Sequence, residues 1–405
     1  MQQHEGRRNA LTSQIETGRK ASVLCVTTYQ LGNDSASMRV LNVAGALRDR
    51  GYGVTVHQHV RERAVTSPVN LGNRGVGIDC RVVVSSRPAS FLRHLIWVAR
   101  GEYDVVIGNS MNGALFSLLG RLRAPLILDL HGDMVAELDM NLPETSRRLS
   151  LRFQGRRSLY TLAEVVTRKL SDRISCVSRK MMSVLCERGV PNDRLLYVPN
   201  CVDLDFFKPQ LGPDVDALRG RIGVGRDKLL LGYLGRIHPW QGVEDFVEAA
   251  RAVTEPGLAF LVVGATETKT EGNLYFAGEA PLARMPEYYS VCDAFVLPRP
   301  SHLATEVAAP TKFAEYAAMG KPIIATDVGD AADLIRTYDC GVVVDDSSPA
   351  ELIRGFHQMS RLTAETRLVM GNEARRLAES EFTLDIAREN LARCIDQLAP
   401  HKICA

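Results

Sequence analysis

The sequence predicts an α/β protein made of two parallel-sheet domains in tandem, with a helix at the carboxyl end packing back. Three observations carry this. The chain has 405 residues, about two to three times the length of a typical single domain. Short β-rich runs alternate with longer helical patterns almost throughout, the rhythm of βαβ units. Most of those runs are apolar at successive positions, which marks strands covered on both faces and therefore a parallel sheet.

A polar tail over residues 1–21 precedes the first domain, assigned to residues 22–204. It opens with a strand over 22–28, a helix over 36–50 and a strand over 53–57. Further strands are expected at 79–84, 104–108, 125–130, 173–177 and 195–198. After Pro199-Asn200 and a loop through Pro209, Gly212 and Pro213 the rhythm restarts, so the second domain is assigned to residues 205–382. Its strands are expected at 228–234, 259–263, 294–297, 322–326 and 341–344. In the closing segment, 383–405, the apolar residues Leu384, Ile386, Ala387, Leu391, Ile395 and Leu398 recur at nearly helical spacing, as in a packing helix. Two such sheets in tandem imply a ligand cleft where the carboxyl ends of the strands converge.

Composition excludes several classes. Charged residues at 24% and hydrophobic residues at 45% are those of an ordinary folded protein, not a disordered or fibrous one. The apolar runs, Leu229-Leu230-Leu231 among them, are far too short to cross a bilayer. The first twenty residues hold Arg7, Arg8, Arg19 and Lys20 but no apolar core, so they do not read as a secretory signal, and a cytoplasmic location is expected. Nine cysteines, an odd number with no C-x-x-C pair, suggest neither a zinc site nor a disulfide framework. Gly51/Gly53, Gly75/Gly77 and Gly223/Gly225 lack the third glycine of a dinucleotide fingerprint, and Gly320-Lys321-Pro322 is no phosphate loop.

The net charge of +2 hides an asymmetry, because residues 1–200 hold 28 Lys/Arg against 17 Asp/Glu. Part of that excess lies in Ser146–Arg173, where Arg147, Arg148, Arg152, Arg156, Arg157, Arg168, Lys169 and Arg173 are interleaved with leucines. Such a stretch suits an anionic membrane or an anionic acceptor. A solvated helical face with its leucines turned inward accounts for it equally well. The stretch lacks regularly interleaved aromatics, and nucleic acid is not an expected partner.

The most specific segment runs Pro310-Thr311-Lys312-Phe313-Ala314-Glu315-Tyr316-Ala317-Ala318-Met319-Gly320-Lys321-Pro322 and on to Ala325, a loop, an amphipathic helix, a glycine stop and a strand. Two others accompany it: Val177-Ser178, Gly189-Val190-Pro191 and Val198-Pro199-Asn200-Cys201-Val202-Asp203 within Cys176–Phe207, and Gly232-Tyr233-Leu234-Gly235-Arg236 followed by Trp240-Gln241-Gly242-Val243. On these residues the chain resembles the retaining glycosyltransferases of the two-domain GT-B fold, specifically the large family 4, over about residues 22–398. The resemblance implies two Rossmann-like domains facing a central cleft. It implies a nucleoside-diphosphate sugar bound mainly by the second domain, and a glycan or lipid-linked acceptor hydroxyl on the side of the first. Sugar transfer with retention, in cell-envelope polysaccharide or glycolipid synthesis, follows from it. So does a place in the cytoplasm or peripherally at the inner face of the membrane.

Roles carry over residue by residue. Glu315 matches the carboxylate that accepts both ribose hydroxyls, a geometry suited to a bidentate acceptor. Ala309, Pro310 and Thr311 lead into a helix whose free N–H groups and dipole hold the diphosphate, with Lys312 adding charge. Arg236 matches the arginine that offsets charge on the departing diphosphate. His131, in Leu128-Asp129-Leu130-His131-Gly132-Asp133, matches a histidine facing the donor sugar. Gly32 belongs to a loop whose backbone approaches the donor, and Asn33, Asp34 and Arg39 are assigned to the acceptor side.

Two positions depart from the family. Gln241 stands where a second positive charge is usual. Val307 occupies the place of the first of two paired glutamates, with Glu306 adjacent and expected to take the catalytic contact with the sugar. No metal and no cofactor are expected: no D-x-D follows a strand, Asp203-Leu204-Asp205 lying in the linker match, and the helix dipole with Arg236 and Lys312 supplies the positive charge. The alternatives are a nucleotide-sugar epimerase on the same fold and a non-catalytic nucleotide-sugar-binding subunit.

Overall fold

The computed structural model describes residues 20–31, 35–60, 78–84, 86–101, 103–141 and 150–399. Among these residues fourteen strands lie in two seven-stranded sheets. The first contains β1 (Ser22–Thr27), β2 (Gly53–Val60), β3 (Asp79–Val84), β4 (Val105–Asn109), β5 (Leu126–Leu130), β6 (Arg173–Cys176) and β7 (Leu195–Tyr197), in the order β3-β2-β1-β4-β5-β6-β7. The second contains β8 (Leu229–Leu234), β9 (Leu258–Val263), β10 (Thr268–Glu271), β11 (Leu274–Ala277), β12 (Ala294–Leu297), β13 (Ile323–Thr326) and β14 (Gly341–Val344), in the order β10-β11-β9-β8-β12-β13-β14. These orders, which reverse at β1 and at β8, are those of doubly wound sheets, whose ligands bind at the carboxyl ends of strands beside the reversal.

The parallel pairing expected from continuous apolar runs holds for β8 with β9 and β12, and for β12, β13 and β14 in succession. β9 is buried at all six positions, which a parallel strand covered on both faces requires. The sequence reading missed β10 and β11. They form an antiparallel hairpin at the sheet edge, turning at Gly272. β10 reads Thr-Lys-Thr-Glu and is largely exposed, so it carries no apolar signal to detect.

Contacts divide the chain into two compact units. The first comprises residues up to Asp129, Val166–Ile174 and the chain from Arg388 on; the second comprises Leu130–Val165 and Ser175–Ala387. The boundary expected at 204/205 falls between β7 and β8. In the first unit Leu24, Val26, Val98, Tyr103, Val106 and Leu126 belong to one core cluster. The closing helix, Leu384–Leu398, ties in through Tyr52 Oη donating to Asp396 at 2.5 Å and through Arg388 and Asp49 at 3.0 Å. In the second unit Phe246, Phe260 and Phe356 meet at ring separations of 4.9 to 6.0 Å beneath the sheet.

The basic stretch is helical over Leu151–Leu170. Its leucines do not all turn inward: Leu151, Leu159 and Leu162 are 90%, 62% and 60% exposed. Among the described residues no helix is long and apolar enough to cross a membrane.

Candidate functional site

The second unit assembles most of the residues marked by the sequence. β12 runs into Pro298–His302, a short helix Leu303–Val307, and then Ala308-Ala309-Pro310, which leads into helix Thr311–Ala318. No side chain caps that helix start; the Phe313 N–H turns back to the Pro310 carbonyl at 3.0 Å, and the N–H groups of Thr311 and Lys312 face an anion site, which the dipole favours there. Phe313, Ala314, Tyr316, Ala317 and Ala318 bury one face and fix the helix on the core. Asn200 holds the approach, its amide donating to the Ala309 carbonyl at 2.7 Å.

Glu315 projects from the second turn and accepts a hydrogen bond from the Tyr289 hydroxyl on Oε2 at 2.6 Å. Burial raises the pKa of this carboxyl above the usual carboxylate range, opposed by that bond and by Lys312. Lys312 donates to the Tyr233 hydroxyl at 2.5 Å and lies 4.3 Å over the same ring. Burial pushes its ammonium down to about 7, with Arg299 adding to the depression and Glu315 working against it. A carboxylate and an ammonium thus sit side by side on a helix whose start is uncapped.

The loop after β8 approaches the same place. Gly235 has φ +142°, and a Cβ there would come within 2.8 Å of the Lys312 ammonium, so the position needs a residue without a side chain. Arg236 is exposed, and its carbonyl accepts from the Tyr233 hydroxyl at 2.8 Å. Gln241 closes a single 3-10 turn, Pro239–Gln241. Its buried Oε1 meets no hydrogen-bond partner among the described residues, which leaves an acceptor, not a cation, at this turn.

Glu306 is engaged by protein. The Gly329 N–H donates to its Oε2 at 2.8 Å and the Ser301 hydroxyl to its Oε1 at 3.2 Å, so the carboxylate caps helix Gly329–Tyr338. Val307 is buried, and its carbonyl accepts from the Ser178 hydroxyl at 2.5 Å. Arg299, buried below this loop, donates from Nη1 to the carbonyls of Thr305 and Ala308 at 3.1 and 3.2 Å.

His131 is half-buried in the turn after β5. Asp133 caps the helix that follows, Met134–Met140, through a 2.8 Å bond from the Ala136 N–H, and pairs with Arg188 at 2.6 Å. That helix packs against Leu303–Val307, which brings the histidine turn to the segment feeding the uncapped helix. Glu137, on the same helix, is pushed up to about 7 by burial and by the carboxylates of Asp133 and Glu164.

In the first unit Arg39 does not stand free for an acceptor. It is buried and bidentate to Asp129, with bonds of 2.7 and 3.2 Å. Gly32, Asn33 and Asp34 lie outside the described residues. Among the described residues no group of three or more His, Cys, Asp or Glu side chains is arranged to hold a metal ion. The sequence reading missed Tyr233, Tyr289 and Arg299. Only Tyr233 lay in a recognised motif, and there it reads as one more strand aromatic.

Two doubly wound sheets with this site on the second define the GT-B class. The fold is shared with Anabaena HepE in complex with UDP, at TM-score 0.72 and 16% identity, covering 93% of this chain and 100% of that one. It is shared also with sucrose-phosphate synthase of Thermosynechococcus elongatus, at TM-score 0.73 and 14% identity over 94% and 99% of the two chains. Residues 36–206 match Glycosyltransferase Family 4 and residues 228–361 match Glycosyl transferases group 1; the chain belongs to glycosyltransferase family 4. Among curated proteins it is similar to WcaI of Escherichia coli, a glycosyl transferase named for colanic acid biosynthesis, at 27% identity over 55% of each chain. A D-inositol 3-phosphate glycosyltransferase of Thermomonospora curvata is 29% identical over 40% of this chain and 42% of its own. The chain spans about half the length of these curated relatives.

Proposed function

We propose that the protein transfers a sugar from a nucleoside-diphosphate donor to an acceptor hydroxyl with retention of anomeric configuration. The observation that carries this reading is the pairing of Glu315 with Lys312 on an uncapped helix start, each held by a tyrosine hydroxyl. Glu315 keeps Oε1 for the ribose hydroxyls. The helix N–H groups, Lys312 and Arg236 receive the diphosphate. HepE is described in complex with UDP and with UDP-glucose, which supports a nucleotide-sugar donor for this fold relative.

In the proposed step the bond between the anomeric carbon and the diphosphate oxygen breaks, and the electron pair leaves with the phosphate. Arg236, Lys312 and the helix dipole stabilise that charge. The acceptor oxygen bonds to the same face of the anomeric carbon, and its proton passes to the departing phosphate oxygen. His131 hydrogen-bonds a sugar hydroxyl. Contact between Glu306 and the sugar requires that it release Gly329 and Ser301, so backbone groups of the 307–311 loop take the larger share of sugar recognition.

The acceptor is a glycan or lipid-linked molecule of the cell envelope, a reading supported by the relatives named for colanic acid and teichuronic acid biosynthesis. Exposed Leu151, Leu159 and Leu162 beside Arg152 and Arg156 support a peripheral contact with an anionic membrane. The test is turnover of UDP-, GDP- and ADP-sugars with glycan and lipid-linked acceptors, with the product anomer read by NMR. A retained linkage supports the reading. Sugar isomerisation without acceptor marks an epimerase, and binding without turnover marks a non-catalytic subunit.

A further inference from the structure

We propose that Tyr233 is a positioning residue for the donor diphosphate, tying Lys312 to the loop that carries Arg236. The inference rests on the donor reading above and deepens it. Tyr233 sits near the end of β8 with no exposed surface, where an unsatisfied hydroxyl would be costly. Its hydroxyl donates to the Arg236 carbonyl at 2.8 Å and accepts from the Lys312 ammonium at 2.5 Å. A phenol has one proton to give, and an ammonium can only donate, so both roles are fixed. The two residues assigned to the diphosphate therefore hang on one oxygen atom.

The surroundings fit that use. The Lys312 ammonium packs over the Tyr233 ring, and the bare Gly235 backbone leaves room for it. The charged groups acting on Lys312 are Glu315 on its own helix, which favours the ammonium, and Arg299 from the loop after β12, which opposes it along with burial. A diphosphate at the helix start adds negative charge and strengthens the ammonium's hold on its proton. Replacing the hydroxyl by hydrogen leaves the ring in place but removes the acceptor that aims the ammonium and the donor that pins the Arg236 turn.

The experiment measures calorimetric binding of UDP, GDP and ADP from pH 6 to 9 by wild type, Tyr233→Phe, Lys312→Met and the double variant, with thermal melting as a control for folding. Dividing each affinity by that of Lys312→Met at the same pH cancels the titration of the nucleotide itself. Tyr233→Phe is expected to bind about tenfold more weakly, the size of one hydrogen bond to a charged group. Its loss of affinity with rising pH should begin at lower pH than in wild type, and the double variant should lose less than the sum of the two single losses, because the part of the tyrosine's effect that runs through Lys312 is already gone. A tyrosine of merely structural value would lower affinity equally at every pH and additively with Lys312→Met. That result, or Tyr233→Phe binding within about twofold of wild type, overturns the inference while the donor reading stands. If wild type binds none of the three nucleotides, the donor reading fails and this inference fails with it.

Discussion

Asp129→Asn should destabilise the first unit by about 3–5 kcal/mol, the usual cost of removing one partner from a buried ion pair. The Arg39 and Asp129 side chains are 3% and 2% exposed and meet at 2.7 Å. A second bond joins them at 3.2 Å, and the Asn109 amide donates a third to the carboxylate at 3.0 Å. The substitution keeps the shape but deletes the charge, leaving the Arg39 guanidinium in a low-dielectric site without the carboxylate that offsets its desolvation. Against a total of about 5–15 kcal/mol for a domain, the loss is large. At about 2–4 °C per kcal/mol for a unit of this size, the transition should fall by roughly 10 °C. Scanning calorimetry is the assay, with the transitions of the two units fitted separately. The companion variant Arg39→Met with Asp129→Leu removes both charges and should recover most of the lost stability. An Asp129→Asn transition within about 2 °C of wild type, or a double variant that loses the sum of both single effects, would refute the reasoning.

Three further outcomes are expected. Burial holds His57 down to about 4 and His59 to about 3, and lowers His94 as well, whereas the unfolded histidines titrate near 6.5. The unfolded chain then takes up protons that the folded chain refuses, so stability is present above about pH 6.5 and is lost as pH falls toward 4, on the order of 1 kcal/mol per histidine per pH unit. Urea midpoints at pH 7 and pH 5 check this, and equal midpoints contradict it. Gly242→Ala should weaken nucleotide binding at least about tenfold and lower the melting point, because φ is +67° and a Cβ would fall 1.6 Å from the Pro298 carbonyl oxygen; the left-handed conformation alone costs about 1–2 kcal/mol. Unchanged binding and melting would show that the Gln241 turn does not depend on this close approach. Turnover should survive saturating EDTA, and activity lost to chelator and restored by a divalent cation would remove the proposed division of charge among Arg236, Lys312 and the helix start.

Of the fourteen strands among the described residues, twelve were legible as apolar runs bounded by turns; β10 is exposed and polar, and β11, although apolar, follows it after a two-residue turn and so falls outside the βαβ spacing. The helix start at Thr311 and the residues Lys312 and Glu315 were legible because they are contiguous. What the sequence hides is engagement across distance. Glu306 reads as a catalytic carboxylate until Gly329, 23 residues on, is seen donating to it. Arg39 reads as an acceptor-side cation until Asp129, 90 residues on, is seen to bind it. Tyr289 finds Glu315 across 26 positions, and no local pattern marks the tyrosine.

The central claim is that Glu315 and the helix it stands on hold a nucleoside diphosphate. The measurement that tests it most directly is calorimetric titration of wild type and Glu315→Ala with UDP, GDP, ADP and their sugar conjugates. One nucleotide series should bind wild type and lose its affinity in the variant while the fold, followed by circular dichroism, is kept. Equal binding by both proteins would place the nucleotide elsewhere, and binding by neither would contradict the donor site itself.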